Sequence, residues 1–168
     1  MRTRAIGLSL LAAALAIILQ TTLFAQVRFF EVAPDLVMLT VIAVARRLDA
    51  EPAVLLGFTS GLAMDLLGSS PLGLRALVLT VIAYATVRTR NRFDINVFAT
   101  GMAVVLLSLL GVVLIVVIGT LFGEASFRDP NVFRKILLIP VYNLVLAVAI
   151  FPLLTLVLVG RRRRELVL

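Results

Sequence analysis

Three charged residues fall at or inside long apolar runs of the chain: Asp35, Asp65 and Arg75. A charge at the centre of a membrane helix costs about 2.5–3.5 kcal/mol on the insertion scale, so each needs a partner or a task. Two carboxylates and a guanidinium could form an ion pair, relay a proton or hold a ligand, but they are too few to specify catalysis. The chain has no His and no Cys. That removes the commonest general base, the thiol nucleophile, disulfides and zinc sites built on those ligands. There is no Walker motif, no G-x-S-x-G and no G-x-G-x-x-G, so nothing is set up to cradle phosphates or to present a nucleophile. The expectation is a protein that is not an enzyme and holds neither metal nor cofactor.

Small and polar residues surround this trio in sequence. Gly57 and Gly61 form a G-x-x-x-G step, and Asp65 continues the same i, i+4, i+8 face. Small residues let helices approach closely, so this face is built to touch another helix, here taken to be an internal one. Gly119 and Gly123 repeat the step and are read the same way. Gln20, Tyr142 and Asn143 lie in apolar runs and are expected to hydrogen-bond inside a helix bundle.

The elements that position these residues follow from composition. The 168 residues are 62% hydrophobic and 15% charged, with a mean hydropathy of +1.16. Soluble domains run about 45–50% apolar and about 25% charged, so the excess must face lipid. Six apolar segments can be marked, at residues 5–27, 33–45, 52–67, 71–87, 95–123 (its helix from 97) and 136–160. The first extends ~34 Å as a helix, enough for a ~30 Å hydrocarbon core. It is too long for a cleaved signal and no A-x-A site follows, so it reads as an uncleaved span. The second to fourth are short and can be partly re-entrant beneath their neighbours. The fold class is therefore all-α: one polytopic membrane domain over residues 1–168 with about six transmembrane helices. Pro140 and Pro152 are expected to bend the last of them.

The net charge of +7 comes from 15 Arg and one Lys against nine acids. No basic face lies on a polar domain, so nucleic acid is not an expected partner. The basic residues occupy the gaps between apolar runs. With a cytoplasmic N-terminus, eleven fall on the cytoplasmic side and four outside, which fits the positive-inside rule with both termini cytoplasmic. Arg161, Arg162, Arg163 and Arg164 form a run suited to anionic lipid. Asp65 and Arg75 then lie about one turn in on either limb of a helical hairpin near the outer surface. Equal depth lets them pair, and Asp35 begins its own segment at the same level. A structural ion pair and a site facing a ligand or partner helix both remain open for the trio. Asp35, after Pro34 at a helix start, also complements the helix dipole.

Several of these pieces recur together in a known family. Leu19-Gln20-Thr21-Thr22-Leu23 ends the first helix and Pro34-Asp35-Leu36 opens the second. Gly57-Phe58-Thr59-Ser60-Gly61-Leu62-Ala63-Met64-Asp65-Leu66-Leu67 and Pro71-Leu72-Gly73-Leu74 follow, and Tyr142-Asn143 with Pro152 lies in the last. In order and spacing, across almost the whole chain, these resemble the MreD family of bacterial rod shape-determining membrane proteins. Arg75 is not among the residues that carry the likeness. The resemblance implies a non-enzymatic scaffold of the cell-elongation machinery in the cytoplasmic membrane. It implies association with MreC, the MreB filament system, and RodA with its transpeptidase in lateral peptidoglycan synthesis. It also implies a fold like the substrate-binding subunits of energy-coupling-factor transporters. The rival expectation is accordingly a small-molecule-binding subunit of such a transporter.

Overall fold

A computed structural model describes residues 2–24, 32–93, 96–124 and 129–159. It contains six helices: α1 (Arg2–Thr22), α2 (Leu36–Ala45), α3 (Ala50–Leu67), α4 (Leu74–Phe93), α5 (Val97–Leu121) and α6 (Val132–Val159). Among the described residues, α2 touches each of the other five, and those five close a ring in the order α1, α3, α4, α5, α6. At ten residues, α2 is only ~15 Å long, about half the hydrocarbon thickness of a bilayer. All ten of its residues are buried, so other helices rather than lipid surround it. Met38, Leu39 and Ile42 form the centre of the core. Gly111 of α5 makes room for the Met38 side chain.

The outer surface is apolar, as a lipid-facing surface must be. Leu11, Leu15 and Ile18 of α1, and Leu137, Val145 and Val148 of α6, are exposed. Three helices, α3, α5 and the Val132–Leu154 part of α6, are long and apolar enough to cross a membrane. The chain is an all-α polytopic membrane protein.

Boundaries shift where polar residues decide them. The second helix starts at Leu36 rather than at residue 33, because Asp35 is its N-cap and its Oδ1 accepts the Met38 N–H at 2.9 Å. Pro34 therefore lies outside the helix, not in its first turn. The fourth starts at Leu74 because Pro71–Gly73 form a turn, with Gly73 at φ +91°, a region open to glycine. It then runs on through Arg88 and Arg90. The sixth starts at Val132, four residues before the apolar run, and it continues through both Pro140 and Pro152. The turn before it is organised by Asp129, whose Oδ1 accepts the Asn131 N–H and whose Oδ2 pairs with Lys135. That Lys135 hydrogen bond and the Asn131 N–H hold the Asp129 carboxyl below the usual carboxylate range. Arg161, Arg162, Arg163 and Arg164, and the end of the first segment at residues 25–27, lie outside the described residues.

Candidate functional site

Helices α1, α3 and α5 end, and α2, α4 and α6 begin, at one end of the bundle, and the polar residues collect there. The peptide units on both sides of Asp35 are stitched to α1: Gln20 donates from Nε2 to the Pro34 carbonyl at 3.0 Å and accepts the Leu36 N–H on Oε1 at 2.7 Å. From α6, Asn143 accepts the Asp35 N–H at 3.2 Å and donates to Ser108 Oγ of α5 at 3.0 Å. Asn143 and Ser108 are fully buried. The start of α2 is thereby tied to α1 and α6 directly and to α5 through Asn143, and the buried amide is satisfied, as a low-dielectric site requires. Tyr142 is half-buried beside Asn143. Ser108 had no sequence signal beyond being a hydroxyl in an apolar run.

The expected Asp65–Arg75 side-chain pair does not form. Asp65 is 2% exposed, and its carboxylate accepts four hydrogen bonds. Oδ1 takes the Ser70 hydroxyl at 3.2 Å and the Arg75 N–H at 3.1 Å. Oδ2 takes the N–H groups of Gly73 at 3.0 Å and Ala76 at 3.2 Å. The last turn of α3 thus caps the first turn of α4. The reason is local: the first N–H groups of a helix have no partner of their own and carry the positive end of its dipole. A carboxylate one turn away satisfies three backbone donors at once, which a guanidinium could not match. Arg75 turns instead to Asp35, with Nη1 3.7 Å from Oδ2.

The glycines divide in the same way. A Cβ at Gly57 would lie 2.5 Å from the Leu79 carbonyl oxygen, and one at Gly61 would lie 2.5 Å from Ala76 N and Cα, both on α4. The Gly57–Gly61–Asp65 face is spent inside the bundle. Gly123 is not a packing residue. It has φ +86° and no atom within 4 Å of a built Cβ. Its N–H donates to Thr120 O and the next N–H, of Glu124, to Gly119 O, the paired bonds of a Schellman stop. Gly119 is buried within α5, so it is Gly123 alone that ends the helix instead of extending the contact step.

At the opposite end, arginines that the charge count treats as topology signals also hold the structure. Arg46 donates to Thr100 Oγ1 at 3.1 Å and lies over the Phe151 ring, linking α2 to α5 and α6. Arg90 donates to the Leu48 carbonyl at 2.7 Å.

Between the polar helix ends lies a cavity of about 840 Å³, to which all six helices or their immediate flanks contribute. Asp35, Arg75, Asp129 and Lys135 line it beside apolar residues such as Met64 and Val112. Because the Arg75–Asp35 pair is long and the Arg75 side chain about a third exposed, Arg75→Ala should cost less than about 1 kcal/mol. Thermal unfolding in detergent measures this, and a large loss would mean that the pair carries the bundle.

Among the described residues no group of three or more metal-ligating side chains is present. No curated protein and no solved structure matches the chain. A family model described as rod shape-determining protein MreD matches residues 1–159. With that match over nearly the whole of an all-helical membrane bundle, the chain belongs to the MreD family of rod shape-determining proteins.

Proposed function

We propose that the chain is a non-enzymatic scaffold of the bacterial cell-elongation complex. It sits in the cytoplasmic membrane with both termini inside and holds a membrane-anchored MreC-like protein. Through that partner it supports MreB and the RodA–transpeptidase pair in lateral peptidoglycan synthesis. The observation that carries this reading is the family match over residues 1–159. It is supported by the way the buried polar groups are used: Gln20, Asp65, Ser108 and Asn143 bind other parts of the same chain. Asp65, being buried, drops out as a partner contact. The remaining surface at this end is the cavity rim near Lys135 with exposed Leu121, Phe122 and Phe133, which suits a partner helix packing in lipid. The basic run Arg161, Arg162, Arg163 and Arg164, read from the sequence alone, holds anionic lipid, at about 1 kcal/mol per basic residue.

Depletion in a rod-shaped host and co-purification from detergent test the function. Rounded cells and recovery of the MreC-like protein are expected. Normal rods that fail only to take up a vitamin would overturn the scaffold in favour of a transporter subunit. The topology has its own test, made clean by the absence of Cys. Ser69 and Ala50 are both exposed, at opposite ends of α3. Ser69→Cys should react with an impermeant thiol reagent applied to cells, and Ala50→Cys should not. The reverse pattern would invert the orientation.

A further inference from the structure

Arg75 and Asp35 leave their charges half used. The guanidinium has five N–H donors, and among the described residues its nearest charge is Asp35 Oδ2, at 3.7 Å. That distance is too long for a hydrogen bond. Asp35 Oδ1 is committed to the Met38 N–H, while among the described residues the contact of Oδ2 is Arg75. A half-satisfied cation and a half-satisfied carboxylate oxygen therefore stand side by side on the wall of one cavity.

This arrangement selects its ligand by charge. A simple anion at Arg75 would lie against Asp35, and a simple cation at Asp35 would lie against Arg75; each gains one attraction and suffers one repulsion. A group carrying both charges satisfies both residues. Guanidinium matches phosphate geometry through paired N–H bonds, and a carboxylate oxygen accepts from an ammonium. Phe24, Val112 and Ile139 supply an apolar wall, and Glu124, Asp129 and Lys135 also line the cavity. The volume, about 840 Å³, falls within the range of small-molecule sites. Leu66, Leu67 and Leu72 are exposed on the hairpin that carries Arg75. Apolar surface beside a charged pair suits the level where acyl chains give way to headgroups.

We propose that the Arg75–Asp35 wall of this cavity binds a zwitterionic phosphate–ammonium group, as carried by a phosphatidylethanolamine lipid. The phosphate lies on the Arg75 guanidinium, the ammonium faces Asp35 Oδ2, and the glycerol end of the lipid runs along the apolar wall. The site needs no protein partner, so its test is separate from that of the scaffold.

Native mass spectrometry of the purified full chain, released from detergent with defined lipids, reads the site. Dioleoyl phosphatidylethanolamine should be retained about tenfold better than dioleoyl phosphatidylglycerol, a difference of about 1.4 kcal/mol. Arg75→Gln should remove that preference while the helical signal and unfolding temperature stay near those of the parent. Ile139→Trp, which fills the cavity from its apolar wall, should block retention with Arg75 and Asp35 intact. Glycerophosphoethanolamine distinguishes the sources. If it displaces the lipid at millimolar concentration, the headgroup chemistry is supported with a soluble source. If the lipid stays bound, the membrane is the source. Equal retention of both lipids by the parent chain, or an unchanged preference in both variants, would overturn the proposal.

Discussion

Asp65→Asn should destabilise the bundle by about 3 kcal/mol, although it keeps the shape of the side chain. Both carboxylate oxygens accept two hydrogen bonds each, from Ser70 and Arg75 on one and from Gly73 and Ala76 on the other. An amide must turn its NH₂ toward one of these pairs. Turned toward Ser70, whose hydroxyl can accept, it still leaves the Arg75 N–H facing a donor; turned the other way it strands both the Gly73 and the Ala76 N–H. Leaving a buried donor unsatisfied costs about 1–3 kcal/mol, and the lost charge also gives up its favourable place at the helix N-terminus. Unfolding in detergent checks the size of the effect. A charge swap separates this account from a side-chain ion pair. Asp65→Arg combined with Arg75→Asp should be no better than Asp65→Arg alone, because the Asp65 partners are backbone groups that no swap restores. Recovery in the double variant would reinstate direct pairing.

The same residue shows what a sequence can and cannot carry. Asp65 stands out because a carboxylate in an apolar run is costly, and the short hairpin places it level with the start of the next helix. Its partners do not stand out. Every helix begins with unpaired N–H groups, so the donors that hold Asp65 are written in no particular letter, whereas Arg75 is a visible cation at a plausible depth. Side-chain complementarity was legible and backbone complementarity was not. Gln20 and Asn143 follow the same logic: each is visible as an amide in an apolar run, but both reach the backbone around Asp35. The burial of α2 was only half legible. Its length suggested cover by neighbours, but a uniformly apolar helix has no stripe to say which side they occupy. Here they occupy every side. The G-x-x-x-G pattern was ambiguous because its letters do not say where a helix ends. Gly57 and Gly61 lie inside α3, while Gly123 lies just past the end of α5.

That difference sets the second large effect, which two glycine substitutions should expose. Gly61→Leu places a Cβ and three further carbons where the backbone of α4 runs, with Ala76 N and Cα only 2.5 Å from the Cβ position. The neighbour here is main chain and has no rotamer to change, so α3 and α4 must separate. Overpacking of a rigid contact costs about 1–3 kcal/mol and sometimes more, and this site should lie at the upper end. Separation also pulls Asp65 away from the first turn of α4, since it lies one helical turn beyond Gly61 on the same face. The cap and the helix contact should therefore fail together, and the loss in Gly61→Leu with Asp65→Asn should be clearly less than the sum of the single losses. Gly123→Ala, by contrast, meets no atom within 4 Å and pays only for the left-handed backbone at φ +86°, about 1–2 kcal/mol. Folded yield and unfolding temperature in detergent should rank parent first, Gly123→Ala next and Gly61→Leu last. The opposite order for the two variants would mean that the α5 stop, rather than the α3–α4 contact, is the step on which the bundle depends.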